Sequence, residues 1–256
     1  MTAITVGCDP EFFLYDTQNN MFVSAHDKVP GTKNAPYKLD CGAVQADGTA
    51  VEFNTDPASS PVEFVDNIGA VLRQIREMIP KRYNFYYTPV VIYEKEYFKY
   101  DIPASAKELG CDPDYNIYRD DTQSFDGSNI NPRPVPTIKE MRTGAGHLHV
   151  GWGNNIDILS KDHQYDCYTL VKGLDRTIGL RTNHWDNDRL RQNLYGRLGT
   201  YRPKPYGVEY RTPSNAWLNY PELWPILFRS INTTFNAIQD GCDSMQLYSI
   251  PIPRLV

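Results

Sequence analysis

Four short runs of this chain alternate apolar and polar residues, and all four fill their polar positions from a narrow set of groups. In Ile4–Tyr15, Asp9 and Glu11 stand two apart, opposite Cys8, Phe12 and Leu14. In Ala50–Asn54, Glu52 and Asn54 oppose Val51 and Phe53. In His147–Trp152, His147 and His149 oppose Leu148, Val150 and Trp152, and in Val208–Thr212, Glu209 and Arg211 oppose Val208 and Tyr210. Side chains two apart on a strand share a face. Each run therefore predicts a strand with an apolar side for helices and a polar side. One such strand is explained by a sheet with a wet face. A wet face, however, usually mixes Thr, Lys, Gln and Ser with its acids, whereas these positions hold carboxylates, imidazoles, one amide and one guanidinium. If the strands share a sheet, three or more acids converge, because residues two apart lie roughly 6–7 Å apart and neighbouring strands ~4.8 Å apart. Acids that close raise one another's pKa or require a cation. Oxygen-dominated ligands favour Mg²⁺ or Mn²⁺, and an imidazole leaves room for Mn²⁺. Zinc is disfavoured, because no cysteine stands near His147-Leu148-His149.

The remaining periodic segments predict helices. Pro61–Ile79 carries a stripe of Phe64, Val65, Ile68, Val71, Leu72, Ile75 and Met78, with Ser60 as N-cap and Glu63 completing a capping box. Lys161–Thr182, capped by Ser160, and Pro221–Gln239, stopped by Gly241, are the other two. Pro89–Tyr93 reads as a further strand. Pro103–Met141 is rich in Pro, Asp and Asn without a period, as functional excursions often are. The order of elements predicts a single α+β domain over 1–256, with a mainly antiparallel sheet and helices packed on one face.

The 256 residues carry a formal net charge of −5, which argues against general nucleic-acid binding. No apolar run approaches a membrane span. The N-terminal MTAITVGCD lacks a basic region and an apolar signal stretch. Five scattered cysteines without a CxxC pair are expected to be reduced thiols in the cytoplasm. There is no GxxxxGK[ST] loop, Ser elbow or Cys-His nucleophile signature.

The order of GCDPEFF, DGTAVEFN, GAGHLHVGW and YRPKPYGVEYRTPSNAW resembles the carboxylate–amine ligases (amidoligases) of the glutamine synthetase and glutamate–cysteine ligase superfamily. It is most similar in pattern to the compact amidoligases found in bacteriophage and bacterial genomes. The matching stretches span Gly7 to Trp217. The resemblance implies a curved sheet whose concave face binds ATP and Mg²⁺. It implies metal ligation by Asp9, Glu11, Asp47, Glu52, His147 and Glu209. It places His149 and Arg202 toward nucleotide phosphates, and Arg211 toward the substrate carboxylate; Lys204, in the Pro-rich run YRPKPYG expected as a loop, reads equally as a phosphate contact or a solvated lysine. Arg202, Arg211 and Glu52 are its catalytic candidates. Asp9 departs from the pattern, since better-known relatives carry Glu there.

The implied reaction forms an amide between a carboxylate and an amine through an acyl phosphate, because an amine does not displace the oxygen of a free carboxylate. Its partners would be small-molecule or peptide carboxylates and amines, and the compact size suggests a monomer or dimer. Two alternatives stand beside it. One is a phosphotransferase acting on a carboxyl or guanidino group; the other is a non-catalytic, nucleotide-binding phage accessory protein. GCDPDYNIY, beginning at Gly110, echoes GCDPEFFLY but sits in the irregular excursion. It is expected to form a loop over the substrate side, with Asp114 and Arg119 as candidate substrate contacts.

Overall fold

The computed structural model describes residues 4–107, 114–118, 138–186 and 188–242. Its strands, helices and their order are β1 (Thr5–Asp16), β2 (Met21–Val23), β3 (Tyr37–Leu39), β4 (Gly42–Asp47), β5 (Ala50–Thr55), α1 (Pro61–Met78), β6 (Tyr83–Tyr86), β7 (Val90–Ile92), α2 (Lys95–Tyr100), α3 (Ala104–Lys107), β8 (Tyr115–Asn116), β9 (Met141–Thr143), β10 (Gly146–Gly151), α4 (Lys161–Thr177), α5 (Arg189–Leu194), β11 (Thr200–Lys204), β12 (Gly207–Tyr210) and α6 (Leu223–Gln239). Among the described residues, an open ten-stranded sheet runs β3-β4-β5-β1-β10-β12-β11-β8, with β2 and β6 also pairing with β1. Every strand pair is antiparallel. The class is α+β, as the sequence predicts.

The four alternating runs become β5, β1, β10 and β12, which are consecutive neighbours in this sheet. Their apolar sides are fully buried: Val6, Phe12, Val51, Phe53, Leu148 and Val208 have no exposed surface. Helix α1 packs on β4 and β5, α4 packs on β11 and β12, and α6 packs on both helices. Phe64 of α1 meets Phe228 of α6 with ring centroids 6.1 Å apart. Two tryptophans serve packing: Trp217 is fully buried and donates to the Gly146 carbonyl at 3.0 Å, while Trp152 packs against Phe235.

The opposite face of the sheet is not bare. Phe13, on the same side of β1 as Asp9 and Glu11, anchors a second apolar cluster with Val91, Tyr93, Phe98 and Ala106. The short helices α2 and α3 thus lie against the polar face, beyond the site. Fully burying one large apolar side chain contributes about 1.5–3 kcal/mol, so this small cluster helps hold α2 and α3 against the sheet.

Three local expectations need correction. Helix α4 ends at Thr177 and continues as a 3₁₀ turn over Gly179–His184. Ser160 occupies its N-cap position without a side-chain capping bond. The run YRPKPYG, expected as a loop holding Lys204, is mostly the β11–β12 hairpin, so Lys204 is a strand residue.

Candidate active site

The pairing register sets the polar side chains in rows across the sheet. Asp9 lies opposite His147 and Gly7 opposite His149. His149 lies opposite Glu209, which lies opposite Arg202. Glu11 lies opposite Glu52, which lies opposite Gln45. Period-two alternation then puts Asp47 on the same side as Gln45 and Glu52. Asp9, Glu11, Asp47, Glu52, His147, His149, Arg202, Glu209 and Arg211 therefore share one face. Arg119 lies outside the described residues.

Two clusters form on this face. Ligand-capable atoms of Asp9, His147 and Glu209 lie within 4.8 Å of one another, as do those of Glu11, Asp47 and Glu52. In the first cluster His147 Nδ1 is 3.3 Å from Asp9 Oδ1 and 3.4 Å from Glu209 Oε1. His149 Nε2 is 3.0 Å from Asp9 Oδ1, while its other nitrogen meets the Tyr206 hydroxyl. Glu209 is ringed by cations. Lys204 Nζ lies 2.7 Å from its Oε2, Arg202 Nη1 lies 3.4 Å from the same oxygen, and Arg211 binds its Oε1 directly. Burial opposes ionisation of Glu209, but Arg211 and the histidines outweigh it and hold the carboxyl well below its usual range. Asp9 behaves alike: burial raises its pKa, and His149 and His147 more than reverse that. Burial, then Arg211, pushes the His147 imidazole down to about 4, which leaves it neutral at pH 7. Burial disfavours the charged form of His149 as well, but Asp9 overrides it and raises the pKa.

The second cluster has the opposite character. Burial, then Asp47, pushes Glu11 up to about 8. Burial, then Asp9, Glu11 and Asp47, holds Glu52 well above its usual range. Burial raises Asp47 too, and Lys33 only partly offsets it. Gln45 Nε2 donates to Glu52 at 2.8 Å, and the Ala145 amide donates to Glu11 at 3.0 Å. Three carboxyls this close are tolerable as anions only with a cation among them. The all-oxygen donor set suits Mg²⁺ or Mn²⁺, and the mixed set of the first cluster suits Mn²⁺ equally. The residues present thus fit divalent cations.

Asp114, expected on a loop over the substrate, is buried where the excursion returns to the sheet. Its neighbours Tyr115 and Asn116 form edge strand β8 against β11, and its Oδ2 lies 3.3 Å from Arg211 Nε. Asp114 therefore supports Arg211 from inside the fold.

The structure adds residues that sequence reasoning missed. Tyr195 and Tyr206 each reach one of the histidines, and Gln45 reaches Glu52. Gln45 had a usable signal, since it stands two before Asp47. Tyr195 had none, because it follows a short helix far along the chain.

In a comparison with known protein families, residues 139–234 fit the family model described as phage phiEco32-like COOH.NH2 ligase-type 2. This segment holds β10, β11 and β12, and with them His147, His149, Arg202, Lys204, Glu209 and Arg211. The match supports the amidoligase resemblance carried by the motifs. No curated protein matches the chain.

Proposed function

We propose that this chain, whose residues 139–234 carry the COOH-NH2 ligase match, is an ATP- and Mg²⁺-dependent ligase that joins a carboxylate to an amine and releases ADP and phosphate. The observation that carries this is the face shared by β4, β5, β1, β10, β12 and β11. It sets two clusters of cation ligands beside three basic side chains.

Asp9, His147 and Glu209 would hold one divalent cation, and Glu11, Asp47 and Glu52 another. Bound there, such ions supply charge neutralisation for a triphosphate and its transferred phosphoryl group. The chain's own residues do the rest. Lys204 and Arg202, poised on Glu209, can turn to phosphate oxygens. Arg211, held by Asp114 and Glu209, presents a planar fork suited to a carboxylate or phosphoryl group. A substrate carboxylate oxygen attacks the γ-phosphorus, the bond to ADP breaks, and an acyl phosphate forms. The amine nitrogen then attacks the acyl carbon, phosphate leaves, and the nitrogen gives up a proton. An ionised carboxylate near the amine is expected to accept that proton.

The test is a coupled ADP-release assay with Mg²⁺ across a matrix of carboxylates and amines. ADP should appear fastest with one carboxylate–amine pair, with phosphate as the second product. AMP and pyrophosphate, or a stable phosphorylated product, would refute the scheme. Glu209→Gln should abolish turnover while the far-UV circular dichroism stays unchanged.

A further inference from the structure

The segment that leads from α5 to β11 brings a tyrosine to the first cluster. Asp188 caps α5 by accepting from the Leu190 amide at 2.8 Å and the Arg191 amide at 3.1 Å. Arg191 is fully buried, and its guanidinium donates to the carbonyls of Gly144 at 3.1 Å, Thr212 at 3.0 Å and Pro213 at 2.9 Å. Those carbonyls sit at the entry to β10 and the exit from β12, the strands that carry His147 and Glu209. Gly196 turns with φ +71°, and a Cβ there would stand 2.4 Å from Arg191 Nη1. The chain is therefore bound tightly around the arginine, and Tyr195 lies between the two anchors. Its hydroxyl is 2.9 Å from His147 Nε2 and accepts from Arg211 Nη2. The Arg211 guanidinium also covers the tyrosine ring, 5.2 Å from its centroid.

We propose that Tyr195 is a positioning residue for the Asp9–His147–Glu209 cluster, holding His147 by Nε2 so that Nδ1 faces the two carboxylates as the ligating atom. The proposal rests on reading that cluster as a divalent-cation site. A nitrogen that ligates a cation must be bare, so the other ring nitrogen carries the proton and needs an acceptor. The Tyr195 oxygen supplies one. A hydroxyl also donates, so it can hold the ring before and after a cation arrives. Because the same oxygen receives Arg211, the histidine and the substrate-side arginine are oriented together.

The experiment uses the full chain and Mn²⁺ alone, followed by electron paramagnetic resonance, with ¹⁵N spectra of the His147 imidazole in metal-free protein. Tyr195→Phe keeps the ring and removes only the hydroxyl. It should melt with wild type, shift the His147 ring nitrogens, and weaken one class of bound Mn²⁺ by about 10–100-fold, the usual effect of losing such an outer partner. The other class should be unchanged. Wild type that binds Mn²⁺ alongside a variant with the same affinities and the same imidazole signals would overturn the role of Tyr195 alone. Wild type that binds no Mn²⁺ would overturn the cation reading and this proposal with it. If the variant fails to fold, the wild-type spectrum decides: His147 Nε2 without a hydrogen-bonded signal overturns the proposal.

Discussion

At the scale of single residues, burial and neighbouring charge divide acids that look alike in the sequence. Glu209 is kept ionised by Arg211 and the histidines against burial, whereas burial and neighbouring carboxylates push Glu11 and Glu52 toward the protonated form. A third kind of acid lies away from the site. Asp175 on α4 accepts from the Tyr210 hydroxyl at 2.7 Å, and burial lifts its pKa to about 6 despite that bond. The folded protein therefore keeps a proton that the unfolded chain has released by about pH 4–5, near the ordinary Asp value. Its share of stability is complete below the unfolded pKa and is lost as pH rises through about 6. Asp175→Asn should remove this part of the pH dependence, on the order of 2–3 kcal/mol between pH 4 and 7. Urea midpoints of both proteins across that range check it, and parallel curves would refute the assignment.

At the scale of elements, local chemistry was legible where a signal is short-range. Helix α1 starts where the capping box predicts: Ser60 Oγ accepts from the Glu63 amide at 3.1 Å, and Glu63 reaches back to the Ser59 amide at 2.7 Å. Ser60→Ala should cost about 1 kcal/mol, read as a lower denaturation midpoint with an unchanged slope. A fall much larger than that would mean Ser60 does more than cap. The same chemistry failed at α4, where Ser160 stands at the cap without its bond. Strand β4, which carries Asp47, was not anticipated at all. Its sequence Gly42-Ala43-Val44-Gln45-Ala46-Asp47 is poor in β-branched and aromatic residues, and it is a strand because β5 and β3 pair with it. Strand β8 has the same origin: pairing with β11 draws two residues of the echo motif into the sheet edge.

At the scale of the whole molecule, antiparallel pairing makes four separated stretches into adjacent strands, while α1, α4 and α6 cover their apolar side. Among the described residues no helix is long and apolar enough to cross a membrane. Burying the Glu11–Asp47–Glu52 cluster costs stability unless a cation is bound, and a ligand that binds only the folded state stabilises it by mass action. Stripped with chelator, the protein should melt lower than with millimolar Mg²⁺, by several degrees in a scanning calorimeter. Glu52→Gln should shrink that gap by removing one charge of the second cluster. An Mg²⁺ effect of full size in the variant would argue that Glu52 holds no cation.

The alternation of Asp9 with Glu11, of His147 with His149 and of Glu209 with Arg211 is a property of the strand backbone, whose side chains change face at every residue. The sequence by itself could therefore assign these groups to polar sides and their neighbours to a core. Which strands lie side by side, and in what register, depends on contacts between residues more than a hundred positions apart, such as Glu11 with Ala145 and Asn215. Only the tertiary structure decided that the acids split into two clusters, that Asp114 backs Arg211, that Lys204 lies on Glu209, and that Tyr195 reaches His147. Those are distances across the sheet, and no local pattern encodes them.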